Sequence, residues 1–253
     1  MQIIFLGTGT SSGVPVVGCN CETCRSTNPK NRRYRSSLYI EVDQLSLLID
    51  TPPELRLQFL ENGITQVDAI LFTHPHADHL MGFDDIRAIN RLTDKVIPCF
   101  GNSMTVNEIK NIFPYIFNAM QKGGGLPKVS FHEVSSPFLI KDTKIHPLPV
   151  KHGILDIFGY RIGKMAYITD CSHIPDETYN LLAGIELLIL DALRYRPHPT
   201  HMNLEEALEV VNKLKVPRAY FTHLAHNLEH EKVNRELPDH VQLAYDGLRL
   251  EIY

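Results

Sequence analysis

The segment Thr73-His74-Pro75-His76-Ala77-Asp78-His79 directly follows an apolar run, Ala69 to Phe72, that is typical of a buried β-strand. In an extended segment, residues two apart project to the same side, so the first two histidines are expected to share one cation. The aspartate and the last histidine follow as the chain turns, and they are expected to face a second cation. Ligand-type side chains at this density are costly to bury without partners. The segment therefore predicts a metal site at a strand end, with a solvated histidine-rich loop as the alternative.

Three further apolar runs each end at a residue of a type that binds metals. Ile145 to Val150 leads to His152, Ala166 to Thr169 leads to Asp170, and Ala219 to Phe221 leads to His223. A lone histidine is more often a surface or core residue, so the repetition is the informative feature. The whole set predicts two cation sites, one held by His74, His76 and His152, the other by Asp78, His79 and His223, with Asp170 bridging them.

Short β-rich runs alternate with helical patterns along the chain, which indicates an α/β fold. Two of the runs, Tyr39 to Val42 and Leu45 to Ile49, are too close together for a crossover helix. Mixed sheets are therefore expected rather than a simple doubly wound sheet. The clearest helix is Asn203 to Lys215, where apolar residues recur at helical spacing behind an asparagine cap. Glu54 to Glu61 and Val106 to Phe113 are predicted as shorter helices.

The chain has 253 residues, of which 43% are hydrophobic and 21% are charged, enough to form the core of a single domain over residues 1–253. Its 25 basic and 29 acidic residues give a net charge of −4, which does not favour nucleic acid as a partner. No apolar run approaches the roughly 20 residues of a membrane-spanning helix, and the first residues lack a cationic leader. We therefore expect a cytoplasmic protein without a membrane partner.

Three of the five cysteines crowd into the run Cys19-Asn-Cys21-Glu-Thr-Cys24. In a reducing compartment such a cluster suits a metal better than a disulfide framework, with three unligated thiols as the alternative. Three thiolates and one imidazole would make a closed tetrahedral set of the kind that zinc favours. Cys99 and Cys171 lack companions and are interpreted as ordinary thiols.

The spacing His-x-His-x-Asp-His, followed by the later ligands in the same order, resembles the signature of the metallo-β-lactamase superfamily. The likeness extends from Phe5-Leu-Gly-Thr-Gly-Thr to Tyr245-Asp-Gly. The resemblance implies an αββα sandwich, in which two mixed β-sheets pack face to face and are flanked by helices. It also implies a dinuclear centre along one edge, with two divalent metal ions such as zinc or manganese.

Within that superfamily the chain looks most like the phosphonate-operon cyclic phosphodiesterases, the PhnP type. The run Gly18 to Cys24 and the segment Thr222-His223-Leu-Ala-His226 match a zinc-binding insertion of that branch. By this resemblance a structural zinc is bound by Cys19, Cys21, Cys24 and His226. His201, just before the amphipathic helix, matches a catalytic histidine of the branch, and His198 is its competitor for the leaving group.

The implied function is hydrolysis of a small cyclic phosphate diester, such as a ribosyl cyclic phosphate, by a hydroxide shared between the two metal ions. Asp78 is expected to orient that hydroxide, and His201 to give the leaving oxygen its proton or to hold a phosphate oxygen. Two alternatives stay open: a ribonuclease Z-like endonuclease that processes transfer-RNA 3′ ends, and a noncatalytic metal-binding or sensing protein. A homodimer is compatible with each of these.

Two other segments carry weaker signals. Gln121 to Pro127, which contains three consecutive glycines, is interpreted as a surface connection or as a mobile loop beside the site. The basic run Asn31-Arg32-Arg33-Tyr34-Arg35 is interpreted as a solvated face, with a grip on a terminal phosphate of the substrate as the alternative.

Overall fold

The computed structural model describes residues 1–117 and 125–252, and within them two β-sheets carry helices on their outer faces. The strands are β1 Gln2–Gly7, β2 Ser37–Val42, β3 Leu45–Ile49, β4 Ala69–Leu71, β5 Ile97–Gly101, β6 Val129–Glu133, β7 Phe138–Ile140, β8 Thr143–His152, β9 Leu155–Ile162, β10 Met165–Ile168, β11 Leu187–Asp191, β12 Arg218–Thr222, β13 Val241–Leu243 and β14 Arg249–Glu251. The α-helices are α1 Glu22–Arg25, α2 Leu55–Asn62, α3 Ala77–Leu80, α4 Ile86–Thr93, α5 Ser103–Ile112, α6 Pro114–Phe117, α7 Asp176–Leu181, α8 Leu204–Leu214 and α9 His230–Glu236.

Both sheets are mixed. The first has the strand order β14-β1-β2-β3-β4-β5-β6, antiparallel from β1 to β3 and parallel from β3 to β6. The second has the order β13-β12-β11-β10-β9-β8-β7, parallel from β10 to β13 and antiparallel from β7 to β10. The predicted pairing of Tyr39–Val42 with Leu45–Ile49 is the antiparallel contact of β2 with β3. The αββα sandwich that the resemblance implies is confirmed.

Three layers of apolar side chains hold the sandwich together. Between the sheets, inward-facing residues such as Phe5, Ile40 and Tyr167 are almost fully buried. A second layer packs β10 to β12 against the helices of that side, and Val211 of α8 is fully buried in it. The third packs β3 to β5 against α2 and α4, where Ile89 is buried. Burial of apolar area is the main term that stabilises such layers.

Helix α8 begins where the sequence predicts. The Asn203 side chain accepts the Glu206 N–H at 2.9 Å, and the Glu206 carboxylate accepts the Asn203 N–H at 2.8 Å, which makes a reciprocal capping box. Helix α5 begins at Ser103, earlier than predicted, because the Asn102 side chain accepts the Thr105 N–H at 2.8 Å and caps it there.

The strands that precede the predicted ligands all end at one edge of the sandwich. Three residues at this edge have positive φ angles although none is glycine: Asp50 at 62°, Asp170 at 56° and His223 at 57°. Such left-handed conformations are uncommon outside glycine and cluster at functional sites. At this edge the backbone therefore adopts an uncommon conformation at three of the residues whose side chains it presents.

No helix within the described residues is both long and apolar enough to cross a membrane. Of the predicted loop Gln121 to Pro127, residues 121–124 lie outside the described part of the chain. Just after the loop, the Asn90 side chain of α4 accepts the Lys128 N–H at 2.9 Å and so fixes the entry to β6.

Candidate metal centres and active site

The side chains predicted to bind two cations converge at this edge, and we call their assembly the strand-end centre. One group, in which single ligand atoms lie within 4.8 Å of one another, consists of His74, His76 and His152. The same separation holds within a second group, made of Asp78, His79, Asp170 and His223. The structure therefore brings all seven predicted ligands together, in the two groups that the sequence predicts.

Asp170 lies between the two groups. Its Oδ1 is 3.2 Å from His79 Nε2 and 3.2 Å from His223 Nδ1, while its Oδ2 is 3.8 Å from His74 Nε2. Burial acts to raise the pKa of Asp170, but the imidazoles of His223 and His79 outweigh burial and hold the pKa well below its usual range. The residue is thus an ionised carboxylate with one oxygen toward each group.

Asp50 anchors the first segment from behind. Its carboxylate accepts hydrogen bonds from the Thr73 N–H at 2.8 Å, the Thr73 hydroxyl at 2.7 Å and His79 Nδ1 at 2.8 Å. The Thr73 hydroxyl oxygen lies 3.0 Å from His74 Nδ1. Because Nδ1 of both histidines is engaged by this network, Nε2 of each is left to face the centre. The sequence marks Asp50 only as a strand-ending aspartate and does not reveal this contact.

His152 is fixed in a similar way by the loop before α8. Its Nδ1 donates a hydrogen bond to the Thr200 carbonyl at 2.7 Å, which leaves Nε2 available to the metal group. The His152 ring lies 5.4 Å from the His74 ring and 4.9 Å from the His76 ring, between centroids. Sequence reasoning missed Thr200, because a contact made by a backbone carbonyl leaves no trace in the residue type.

His223 has a polar partner on each ring nitrogen. Nε2 lies 3.2 Å from Thr10 Oγ1, and Nδ1 lies 3.3 Å from Ser36 Oγ. Burial lowers the pKa of His223 to about 4, so the imidazole is neutral at physiological pH. Neutral imidazole is the form that binds metal ions.

The pKa values of His74, His152 and His79 are shifted in different directions. Burial lowers the pKa of His74 well below its usual range, and burial also lowers the pKa of His152. Burial acts in the same direction on His79, but the carboxylates of Asp170 and Asp78 outweigh it and raise the pKa of His79 well above its usual range. The neighbouring carboxylates therefore stabilise a positive charge at His79.

Two buried nitrogens, one in each group, point to a cation bound by each group. Within residues 1–117 and 125–252, His74 Nε2 and His79 Nε2 are both buried without a hydrogen-bond partner. An unpartnered buried polar atom is costly, and natural structures rarely leave one unexplained. Imidazole nitrogens and carboxylate oxygens converging at these separations fit divalent cations such as zinc or manganese.

His201 lies beside the strand-end centre and is paired with Asp191. Its Nδ1 is 3.7 Å from Asp191 Oδ2 and 3.9 Å from Asp170 Oδ2, and its ring stacks on that of His223 at 4.9 Å. Burial acts to lower the pKa of His201, but the carboxylates of Asp191 and Asp170 outweigh burial and raise it. Burial raises the pKa of Asp191 to about 6, and its Oδ1 accepts the Cys171 N–H at 2.9 Å. The two carboxylates therefore favour the protonated form of His201, which lies beside the metal groups.

His198 lies on the far side of His201, with 5.1 Å between the two ring centroids. The ligand atoms of His201, His152 and Asp170 lie within 4.8 Å of one another, whereas His198 joins no such group within the described residues. The structure thus places His201 next to the donor groups and His198 further out.

The three clustered cysteines and His226 meet at a second place, which we call the cysteine cluster. The distances from His226 Nδ1 are 3.2 Å to Cys19 Sγ, 3.3 Å to Cys21 Sγ and 3.6 Å to Cys24 Sγ. The Cys24 N–H points at Cys21 Sγ and lowers the pKa of Cys21 to about 6. None of these thiols forms a disulfide. Three sulfurs and one nitrogen at these distances fit a tetrahedral zinc.

Arg33 connects the cysteine cluster to the rest of the fold, which corrects one expectation. The basic run Asn31 to Arg35 was expected to form a solvated face, but Arg33 is only 2% exposed. Its guanidinium donates to the carbonyls of Ala225 at 3.0 Å and Leu228 at 2.7 Å, on either side of His226. A buried arginine needs such partners because desolvation of its charge is costly. The prediction was wrong for Arg33, because the loop carbonyls that accept its hydrogen bonds are remote in sequence, whereas Arg32 is exposed.

The arrangement can be compared with known proteins at this point. Residues 46–224 match the model of the beta-lactamase superfamily domain. The whole chain is similar to the crystal structure of a diphosphatase from the PhnP family, with 43% identity, a TM-score of 0.93, and coverage of 100% of this chain and 98% of that one. The chain belongs to the PhnP family of the metallo-β-lactamase superfamily. This PhnP-family protein is a metal-dependent hydrolase, and divalent metal ions are the cofactors of its fold family.

Two further proteins are similar over different extents. Human tRNase Z, short form, has a TM-score of 0.74 at 17% identity, with 100% of both chains covered, and this likeness shows the fold alone. An octanoyltransferase from Porphyromonas gingivalis is 38% identical over 253 residues, which are 98% of this chain and 51% of that protein. The PhnP-family chain thus spans about half the length of that relative.

Proposed function

We propose that this PhnP-family hydrolase is a phosphodiesterase that cleaves a small cyclic phosphate diester, such as a ribosyl cyclic phosphate. The observation that carries the proposal is the pair His201–Asp191 beside two donor groups that meet at Asp170. Cleavage of a phosphate diester requires charge neutralisation, a nucleophile and a proton for the departing alkoxide. The similarity to a PhnP-family diphosphatase supports chemistry at phosphorus.

In this proposal the strand-end centre holds two divalent ions, either zinc or manganese. His74, His76 and His152 would hold one ion, Asp78, His79 and His223 would hold the other, and the Asp170 carboxylate would serve both. When bound, the ions neutralise the phosphate oxygens and lower the pKa of coordinated water toward neutrality. Asp50 and the Thr200 carbonyl hold the rings of His79 and His152 through Nδ1 before an ion arrives, which reduces the reorganisation that binding costs.

Side chains of the protein position the attacking water and protonate the leaving oxygen. The Asp78 carboxylate, 3.4 Å from His79 Nε2, has a second oxygen that can accept a hydrogen bond from the attacking water. The attacking water loses one proton to the solvent as its oxygen forms the new P–O bond opposite the leaving oxygen, and the bond to that leaving oxygen breaks. His201 transfers its proton to the departing alkoxide, while Asp191 keeps the imidazole in the orientation that this transfer requires.

The cysteine cluster has a different role in the proposal. Its four donors, Cys19, Cys21, Cys24 and His226, bind one structural zinc. A closed tetrahedral set leaves no open position, so this zinc takes no part in the reaction. It attaches the polar segment Cys19 to Cys24 to the residues that follow β12.

A turnover panel tests the proposal. The purified protein, loaded with zinc or with manganese, is offered cyclic ribose phosphates, cyclic nucleotides, linear aryl diesters, a precursor transfer RNA and an octanoyl thiolester. The expected result is fastest cleavage of a cyclic phosphate. Selective cleavage of the RNA would replace the proposal by a ribonuclease Z-like activity, and turnover of the thiolester alone would point to the chemistry named in the octanoyltransferase. Inertness across the panel would favour a noncatalytic metal-binding protein.

A further inference from the structure

Asp246 joins two segments that are remote from each other in sequence. It lies in the connection between β13 of one sheet and β14 of the other. Its Oδ1 accepts a hydrogen bond from the Thr8 hydroxyl at 2.7 Å, and its Oδ2 accepts one from the Tyr34 N–H at 2.6 Å. Hydrogen bonds to a carboxylate are stronger than those between neutral groups. The proposed reaction does not use Asp246, although both of its carboxylate oxygens are engaged.

The connection that carries Asp246 is itself fixed to strand β1. The Gly247 N–H donates a hydrogen bond to the Phe5 carbonyl at 2.8 Å, and the Phe5 N–H donates one to the Leu248 carbonyl at 2.9 Å. These two bonds hold the residues that follow Asp246 against the first sheet. Its carboxylate therefore has a defined position from which to hold the two segments.

The threonine segment, Thr8 to Thr10, extends from Asp246 to His223. The Thr8 carbonyl accepts the Leu224 N–H at 2.8 Å, and the Thr10 N–H donates to the Leu224 carbonyl at 3.3 Å. The Thr10 hydroxyl oxygen lies 3.2 Å from His223 Nε2. The other ring nitrogen, Nδ1, lies 3.2 Å from Asp170 Oδ1. Thr10 therefore contacts the nitrogen of His223 that is turned away from Asp170.

The serine segment, Tyr34 to Ser36, approaches the other nitrogen of the same ring. The Tyr34 carbonyl accepts the Gly9 N–H at 2.7 Å, and the Ser36 hydroxyl donates to the Gly9 carbonyl at 3.0 Å. Ser36 Oγ lies 3.3 Å from His223 Nδ1. A Cβ atom on Gly9 would lie 2.8 Å from the Arg33 carbonyl oxygen, so the two segments can approach this closely only with glycine here.

The position of the His223 ring matters for two neighbours. The residue has a φ of 57°, a left-handed conformation that is uncommon outside glycine, and it is only 1% exposed. Its ring stacks on that of His201, with 4.9 Å between centroids and 14° between planes. A shift of the His223 ring would therefore displace a member of the second donor group and the packing partner of the proposed proton donor.

We propose that Asp246 is a positioning residue for His223, because its carboxylate holds the threonine segment and the serine segment together around the imidazole. It acts through the hydroxyls of Thr10 and Ser36 and not by contact with the substrate. The inference rests on the metal ligands of the proposed function and adds a residue that supports one of them. Loss of a hydrogen bond at Asp246 should let the ring move, which weakens the binding of one ion and slows turnover.

Asp246→Asn tests the inference, since the amide keeps the size of the side chain but can accept only one of the two hydrogen bonds. Zinc affinity of the strand-end centre, measured by competition with a chelator, is expected to fall by about tenfold for one of the two ions. The kcat for a cyclic phosphate should fall as well. Asp68→Asn is the matched control, because the Asp68 carboxylate accepts the Ser46 N–H at 3.0 Å where β3 and β4 begin, at the opposite edge of the sheet. This control also loses a loop hydrogen bond and should keep wild-type zinc affinity.

A double-mutant cycle identifies the route from Asp246 to His223. Thr10→Val removes the hydroxyl beside His223 Nε2 and keeps the shape of the side chain. If Asp246 acts through Thr10, the loss of zinc-binding free energy in the double variant should be smaller than the sum of the two single losses. Thr8→Val removes only one of the two hydrogen bonds and serves as the milder variant if Asp246→Asn does not fold. It should lower zinc affinity in the same direction by a smaller factor.

The outcomes separate this inference from the proposed function. Unchanged zinc affinity in Asp246→Asn and Thr8→Val would overturn the positioning role, and so would equal losses in Asp246→Asn and Asp68→Asn. A wild-type protein that binds two ions in the strand-end centre but cleaves no cyclic phosphate would overturn the proposed function alone, because the affinity comparison needs no turnover. A wild-type protein that binds no ion there would overturn both.

Discussion

The strand-end centre and the cysteine cluster differ in the type of their donors and in where those donors lie in the chain. They are nevertheless neighbours in sequence, because His223 of one and His226 of the other both follow strand β12. The strand-end centre takes its donors from the ends of several strands, and His74, His79 and Asp170 are buried. The cysteine cluster takes three of its four donors from one short segment, and those thiols are half-buried. The two β-sheets therefore set the positions of the donors in the strand-end centre, whereas one loop supplies most of the donors in the cysteine cluster.

The difference lies in how the donors are held. Nδ1 of His79 and of His152 makes a hydrogen bond to Asp50 or to the Thr200 carbonyl, so these rings are oriented by protein alone. Cys21 and Cys24 are oriented by backbone N–H groups of Cys24 and Val16 within their own loop region. We expect the strand-end centre to keep its shape without metal and to leave positions open for substrate. We expect the cysteine cluster to depend on its ion for order.

The largest effect is expected from Asp170→Asn. Loss of the bridging charge should reduce kcat/KM by about 10⁴-fold or more, because several kcal/mol of charge stabilisation by the metal centre disappears. Metal analysis should show loss of ions from the strand-end centre and retention of the zinc in the cysteine cluster. Asp176→Asn on the exposed start of α7 is the control. Loss of every ion from the Asp170 variant would show that the two sites are not independent.

His201→Ala should separate catalysis from metal binding within the strand-end centre. Removal of the proton donor should lower kcat by about 10²- to 10⁴-fold, with the metal content unchanged. Steady-state kinetics and elemental analysis of the same preparation provide the measurement, and His240→Ala, at an exposed histidine, is the control. Wild-type turnover in the His201 variant would exclude a role for this side chain in proton transfer.

Asp50→Asn tests whether the hydrogen bonds of Asp50 orient the ligands of the strand-end centre. The variant weakens the acceptor of the His79 Nδ1–H and of both Thr73 donors, so metal affinity should fall by about 10- to 100-fold. Competition with a chelator measures that affinity, with Asp43→Asn in the β2–β3 turn as the control. An unchanged affinity would mean that the ligands need no support from Asp50.

Cys21→Ala should have the smallest effect on activity and a clear effect on the fold. The variant is expected to lose one zinc per chain and about 2 kcal/mol or more of unfolding free energy, while kcat/KM falls by less than about tenfold. Denaturant unfolding and elemental analysis are the measurements. Cys99→Ala, which removes a buried thiol outside the cluster, should keep all the zinc. Unchanged zinc content in the Cys21 variant would reject the cysteine cluster as a metal site.

Sequence reasoning identifies the metal-binding residues of this protein more easily than the groups that hold those residues in position. The His-x-His-x-Asp-His spacing and the strand-ending Asp170 and His223 are visible because residue type and local pattern are enough to find them. Thr200 acts through a backbone carbonyl. Arg33 donates hydrogen bonds to carbonyls that lie 192 and 195 residues further along the chain. Such contacts depend on the packed fold. The metal identities, the compartment and a homodimer stay predictions.

The most direct test of the account is anomalous diffraction at the zinc and manganese absorption edges, from crystals grown with both ions. The account predicts one zinc among Cys19, Cys21, Cys24 and His226, and two ions in the strand-end centre with the Asp170 carboxylate between them. An ion in the cysteine cluster alone, with none in the strand-end centre, would contradict a metal-dependent reaction at this edge of the sandwich.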